Sequence, residues 1–299
     1  MRALLAIALV GCNFNPPPGN GPDAPVTDAR PDGTPDVPPV DGLPDTPPVL
    51  DGDGDGIPDA DDNCPALPNA DQRNFDADPR GDSCDACPHL ASDTDPDGDS
   101  DGVGDACDPR PETTGDTRLL WTAFQDANSI AGWTLSGGTW ELANGRLRQT
   151  DTAPVIAYAS PPLTVPRAYV ATRFRVGTLG TPSEGKDPGY GVSGGYGSGG
   201  AQYYACIVTD TGLANYLVAV SAWAGHPQTF GASLWFGAFG AGAAIELTHS
   251  SASGNRCNAR TATTSATAMD QRGPTAGAAI LYTQRAAGEF DYMFVVSIP

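Results

Sequence analysis

Long hydrophobic runs are missing from this chain of 299 residues. Past the first dozen residues nothing approaches the ~20 apolar residues that cross a bilayer as a helix, so the expectation is a protein anchored at a membrane or soluble. Basic residues are also scarce, 16 against 36 acidic ones, for a formal charge of −20. With no basic patch, nucleic acid is excluded as a partner. Glutamate is absent from residues 1–110, where 24 aspartates face 5 arginines, whereas 111–299 is nearly neutral with 12 acidic and 11 basic side chains. Short acidic side chains suit tight loops and turns. Larger apolar residues are few over 51–108: Ile57, Leu67, Phe75, Leu90 and Val103. Such a stretch cannot bury enough surface to offset its ordering entropy, and without metal it should be disordered between its crosslinks.

What is present is periodic. One loop recurs three times at a spacing of 23 residues: Asp51, Asp53, Asp55, Gly56, Asp59, Asp62; then Asn74, Asp76, Asp78, Gly81, Asp82, Asp85; then Asp97, Asp99, Asp101, Gly102, Gly104, Asp105, Asp108. Carboxylates at alternate positions across a glycine-kinked loop converge their oxygens, as a hard cation with six to eight oxygen ligands requires. Calcium is the expected ion. Cys64 to Cys87 and Cys84 to Cys107 repeat at the same spacing, so loops and cysteines belong to one unit.

The run Asp62-Asn63-Cys64-Pro65, Asn69, Asp71-Gln72, Asp76, Asp78 and Gly81-Asp82-Ser83-Cys84-Asp85 resembles the thrombospondin type 3 repeat, as does Cys87-Pro88 through Asp97-Gly98-Asp99-Ser100-Asp101-Gly102-Val103-Gly104-Asp105-Ala106-Cys107-Asp108. The resemblance implies calcium held by Asp51, Asp53, Asp55, the Ile57 carbonyl, Asp59 and Asp62 in the first loop. In the third it implies Asp97, Asp99, Asp101, the Val103 carbonyl, Asp105 and Asp108. Asn74, Asp76, Asp78, Asp82 and Asp85 are their middle counterparts, although Pro79-Arg80 departs from the pattern and should weaken that site. Each unit is expected to be closed by a disulfide, Cys64 to Cys84 and Cys87 to Cys107, and the metal-loaded stretch to form a stiff rod, with Asp93 and Asp95 as further ligands. A helix-loop-helix or dockerin-like calcium site needs flanking helices that Pro65, Pro88 and Pro109 discourage. Zinc at Cys84 and Cys87 lacks a second close pair of ligands.

Ahead of the loops, Leu9-Val10-Gly11-Cys12 follows Arg2 and an apolar run and resembles a bacterial lipoprotein signal. The resemblance implies a signal over 1–11, acylation of Cys12 and an outer-membrane or cell-surface location, with secretion by an ordinary leader as the alternative. Residues 13–50 hold 12 Pro and 6 Asp, the composition of an extended spacer. The domain reading is therefore signal 1–11, linker 12–50, calcium repeats 51–108, connector 109–117 and a final domain over 118–299.

That final domain reads as mainly β. Strands are expected at 119–124, 133–136, 139–142, 146–150, 169–176, 203–209, 216–223, 243–249, 278–284 and 290–298, with a hairpin at Asn144-Gly145. Phe124, Asp126, Trp133, Trp140, Gly145, Leu147 and Gln149 resemble the opening of a concanavalin A-like or laminin-G-like sandwich, which implies an antiparallel jelly roll and a bond between Cys206 and Cys257. Glu141, Glu184, Glu246 and Glu289 are widely separated and form no paired catalytic motif; His226 and His249 have no metal spacing; no Gly-x-Ser-x-Gly turn is present. No catalytic residue is named. Tyr190, Tyr196, Tyr203, Trp223 and Trp235 are candidate flat faces for sugar rings, weighed against core positions. The functional expectation is non-catalytic, calcium-dependent adhesion or glycan recognition at a cell surface, with a polysaccharide hydrolase or a passive stalk and cap as alternatives.

Overall fold

The computed structural model describes residues 49–299 except 155, 183–186, 197–202, 212–215, 224–226, 236–238 and 272–275; the side chains of 203, 216–218, 220–231 and 234–235 are likewise outside it. The chain divides into two units, Met1–Pro48 and Val49–Pro299. Cys12, the leader-like start and nearly all of the linker lie outside the described residues. Val49–Pro299 holds both the repeats and the β-domain.

The strands are β1 Thr117–Thr122, β2 Thr134–Ser136, β3 Trp140–Ala143, β4 Arg146–Gln149, β5 Ala157–Ser160, β6 Thr164–Val165, β7 Ala168–Leu179, β8 Gly189–Tyr196, β9 Tyr203–Asp210, β10 Tyr216–Trp223, β11 Pro227–Trp235, β12 Ala244–Ser250, β13 Asn255–Arg260, β14 Ser265–Asp270, β15 Gly277–Gln284, β16 Ala286–Phe290 and β17 Met293–Ser297. Among the described residues they form two antiparallel sheets. The first runs β14-β13-β12-β7-β16-β4-β3, with β17 beside β7 and β1 beside β17; the second runs β11-β10-β9-β8-β15-β5-β2, with β6 beside β15. This is a jelly-roll β-sandwich.

Alternation explains the layering. Along β7, Ala168, Val170, Phe174 and Val176 enter the core between the sheets, where they meet Leu147, Ile245, Leu247, Tyr190, Val208 and Leu281. Cys206 on β9 bonds Cys257 on β13, and both are fully buried in that core. The Asn144-Gly145 turn joins β3 to β4 with φ of 53° and 69°, the backbone that matches a hairpin's twist and that asparagine and glycine adopt most readily.

β17 departs from alternation and is buried on both faces. Met293 and Val295 face the sandwich core, while Phe294 and Val296 enter a second cluster with Ala171, Tyr292, Cys87, Val103 and Cys107. A strand apolar on both sides needs cover on both, and the repeats supply it. The sequence suggests a rod standing apart from the sandwich; the structure instead packs the last two repeats onto its outer face. Phe75, Leu90 and Val103, too few for a core of their own, are the residues that make this contact.

Candidate functional site

The repeats are organised by carboxylates that bond to their own backbone. At the first loop position, Asp51, Asn74 and Asp97 each accept from the N–H three residues on, at 2.8 Å in every copy. At the fifth, Asp55, Asp78 and Asp101 reach fourteen residues ahead and accept from Asn69, Ser92 and Gly115. At the ninth, Asp59, Asp82 and Asp105 turn back to accept from Gly52, Phe75 and Gly98. These bonds pull the chain into loops without any ladder. Cys64–Cys84 and Cys87–Cys107 are bonded, each across 20 residues.

Two positions retain an oxygen that the protein does not satisfy. Asp53, Asp76 and Asp99, at the third position of each loop, bury Oδ2 without a hydrogen-bond partner, as do Asp62 and Asp108 at the twelfth. An orphaned buried carboxylate oxygen is costly, and its recurrence at the same place in successive copies points to one cause. Oxygens converge in four groups: Asp51, Asp53 and Asp55; Asp76, Asp78 and Asp85; Asp97, Asp99 and Asp101; and Asp101, Asp108 and Asp116, with ligand atoms in each group within 4.8 Å of one another. Burial raises the pKa of Asp53, Asp76 and Asp99. Burial together with neighbouring carboxylates pushes Asp85 and Asp108 up to about 7. All-oxygen donor sets crowded in this way fit a hard divalent cation.

The sequence-derived ligands are not all brought together. Asp59, Asp62, Asp82 and Asp105 join no group among the described residues. Asn74 keeps its oxygen on the Ala77 N–H and spends its amide nitrogen on the Asp78 carbonyl at 2.6 Å, so it brings one oxygen where Asp51 and Asp97 bring two. The middle loop also has Pro79 where Gly56 and Gly102 stand at φ of 95° and 91°. Those glycines donate to Asp51 and Asp97, whereas proline has no N–H to give and cannot adopt that φ. The middle loop's acidic group is made by Asp76, Asp78 and Asp85. Asp95 is committed elsewhere, accepting from the Ala86 N–H at 2.9 Å, and Asp93 joins no group. Asp116 was not anticipated. It is 1% exposed, held by Arg110 at 2.6 Å, and its N–H donates to Asp101; the signal was an aspartate one residue past Gly115, the third copy's counterpart of Asn69 and Ser92.

Residues 50–72 and 96–110 match the thrombospondin type 3 repeat. The middle copy, with its asparagine and proline, falls between the two matched segments. No curated protein matches the chain. Among solved structures, the Lotus tetragonolobus seed lectin is similar at 12% identity and a TM-score of 0.47, covering 61% of this chain and 99% of the lectin. A Bacillus licheniformis β-glucanase is similar at 10% and 0.43, covering 63% and 100%. A carbohydrate-binding module from Bacillus subtilis is similar at 13% and 0.42, covering 54% and 92%.

The candidate sugar-facing aromatics separate. Tyr190 is a core residue, stacked on Phe174 at 4.5 Å with its hydroxyl bonded to the Ala287 carbonyl. The side chains of Tyr203, Trp223 and Trp235 lie outside the described residues, as does His226. His249 is buried, and Gly194 N–H donates to its Nδ1. Tyr196 is different: it stands on the outer face of the second sheet beside Tyr158, with ring centroids 5.1 Å apart. Both rings line a 440 Å³ pocket with Thr134, Ser160, Thr164 and Ala278. Tyr158 was not singled out in the sequence, because nothing there shows that β5 and β8 flank the same strand, β15. Glu141, Glu246 and Glu289 each pair with an arginine, Arg148, Arg260 and Arg146 respectively; Glu184 lies outside the described residues. Among the described residues, no helix is long and apolar enough to cross a membrane.

Proposed function

We propose that this protein recognises glycans through a sandwich whose acidic repeats are held by calcium, and that it does so without catalysis at a cell surface. The observation that carries the recognition half is the Tyr158–Tyr196 pair bordering a pocket rimmed by hydroxyls. Aromatic rings present the apolar faces that pyranose rings cover, and hydroxyl neighbours orient the sugar's own hydroxyls. The calcium half rests on the orphaned oxygens of Asp53, Asp76, Asp99, Asp62 and Asp108. Within the proposed ligand sets, Asp51 and Asp55 complete the first group, Asp78 and Asp85 the middle one, Asp97 and Asp101 the third, and Asp116 joins Asp101 and Asp108. The non-catalytic reading is supported by the pairing of Glu141, Glu246 and Glu289, the described glutamates of the sandwich, with arginines. Surface placement follows the lipoprotein-like start, with Cys12 as the acylated residue.

The test is affinity electrophoresis of the whole chain through gels containing neutral polysaccharides, with calcium. Retardation by at least one polysaccharide is expected, weakened about tenfold, or 1.4 kcal/mol, in Tyr158→Ala or Tyr196→Ala. Retardation that both variants preserve would remove the tyrosine pair from the site. Release of reducing ends during the run would favour a hydrolase.

A further inference from the structure

A second cavity, of 500 Å³, opens where the repeats meet the sandwich. The repeats contribute Arg73 and Asp82; β1 contributes Arg118 and Trp121; and Asp126 and Asn128 come from the short 3-10 turn Ala127–Ile130. This wall is built, not incidental. Asp126 caps the turn by accepting from the Asn128 and Ser129 N–H groups at 2.8 and 3.2 Å, and its other oxygen takes Arg73 at 2.7 Å. Asp82 accepts from Phe75 N–H at 2.8 Å across the repeat. Arg73 is thus neutralised, by Asp126 and by Asp71 at 2.9 Å.

Arg118 makes no ion pair among the described residues, although the charges of Asp85, Asp95 and Asp82 act on it from farther off. It donates to the Asp85 backbone carbonyl. Arg118 lines the cavity beside Asp71, Asp82 and Asp126, so a charged donor and carboxylates able to accept share one wall with the Trp121 indole, itself bonded to Asp82. Charge selects among ligands. Arg73 and Arg118 face Asp71, Asp82 and Asp126, one negative charge in excess, on a chain of −20. An anion enters against that field, and the Arg118 guanidinium opposes a cation beside it. An uncharged ligand with alternating donors and acceptors satisfies both sets.

We infer that this junction is a binding site for a neutral saccharide of one or two rings, separate from the Tyr158–Tyr196 face and independent of it. The volume falls within the ~300–1,000 Å³ of small-ligand sites. The site is also linked to metal. Arg118 is held by the carbonyl of Asp85, whose carboxylate belongs to the middle acidic group, and the part of the wall made by Asp71, Arg73, Asp82 and Ser83 exists only while that repeat is packed in place. A saccharide that bridges repeat and sandwich therefore favours the metal-loaded form, and by reciprocity metal favours the saccharide.

The experiment is calorimetric titration of the full chain, in calcium, with maltose, cellobiose and lactose as neutral probes and glucuronate and glucosamine as charged ones. At least one neutral disaccharide should bind, about tenfold more weakly in Arg118→Gln. Gln125→Trp, which fills the cavity from its exposed rim without touching a paired group, should abolish the same binding and keep wild-type melting. Chelation should remove binding, and saturating disaccharide should tighten calcium binding in the wild type but not in Gln125→Trp. The inference is overturned if no neutral disaccharide binds, if only a charged probe binds, or if binding survives Gln125→Trp. Binding lost in Tyr158→Ala but kept in Gln125→Trp would overturn it while leaving the sheet-face reading intact. The reverse pattern would sustain it and remove the other.

Discussion

Asp85 and Asp108 carry the acid–base behaviour of the repeats. Their folded pKa of about 7 stands above the ordinary 3.8, through burial and crowding by other carboxylates. The metal-free folded protein therefore holds protons that the unfolded chain has released, and its stability falls as pH rises from about 4 to about 7. A cation competes for the same oxygens, so calcium affinity should fall as pH drops below about 7. Thermal melts across that range should fall with pH in chelator and stay nearly level in saturating calcium; parallel slopes would contradict the assignment. His89 behaves in the contrary sense. It is fully buried among Trp121, Tyr292 and Phe294, with neither ring nitrogen hydrogen-bonded, and burial lowers its pKa from 6.5 to about 3. Below 6.5 the unfolded chain gains a proton that the folded one refuses, so its contribution to stability is lost as pH falls towards 3. Replacing two unmade hydrogen bonds with an apolar ring should stabilise: His89→Phe is expected to gain about 1 kcal/mol near neutrality, and more as pH drops, read by denaturant titration at several pH values. A loss at every pH would mean that His89 has a partner.

At the scale of elements, turns and exposed alternation were legible and close packing was not. Asn144-Gly145 marked its hairpin because few other residue pairs tolerate two positive φ values in sequence. The aspartate period marked the metal loops because their geometry is local. β8 is absent from the expected strands because Gly189–Tyr196 is rich in glycine, yet Gly191 is a glycine because the Tyr282 ring lies where its Cβ would be, 2.1 Å from the nearest ring atom. Such a glycine reports a neighbour ninety residues away. Gly191→Ala should cost about 1–3 kcal/mol by overpacking, measured by urea denaturation; an unchanged midpoint would show that Tyr282 leaves without penalty. β13 and β14 were missed because their small polar residues carry little pattern. The strand expected over 290–298 is split because Asp291 turns inward to Arg146, Arg173 and Arg175, a cluster assembled from β4, β7 and the link between β16 and β17 that no local window contains.

The whole molecule joins two ways of stabilising a chain. The sandwich has an apolar core; the repeats have disulfides, carboxylate turns and, on this account, ions. They share one surface, where Phe75, His89, Leu90 and Val103 lie over Trp121, Tyr169, Tyr292 and Phe294. Arg118 and Arg73 tie its edge. Removing metal should therefore loosen the repeats and uncover that aromatic face: chelation should raise hydrogen exchange over 51–108 and along β17 together, and exchange confined to the repeats would show that docking does not need the ions. The central claim is that the orphaned oxygens are metal ligands, and anomalous diffraction from crystals grown in calcium tests it most directly. The account predicts peaks at the four acidic groups, each in contact with an oxygen of Asp53, Asp76, Asp99 or Asp108. A map without calcium peaks at those oxygens would contradict it.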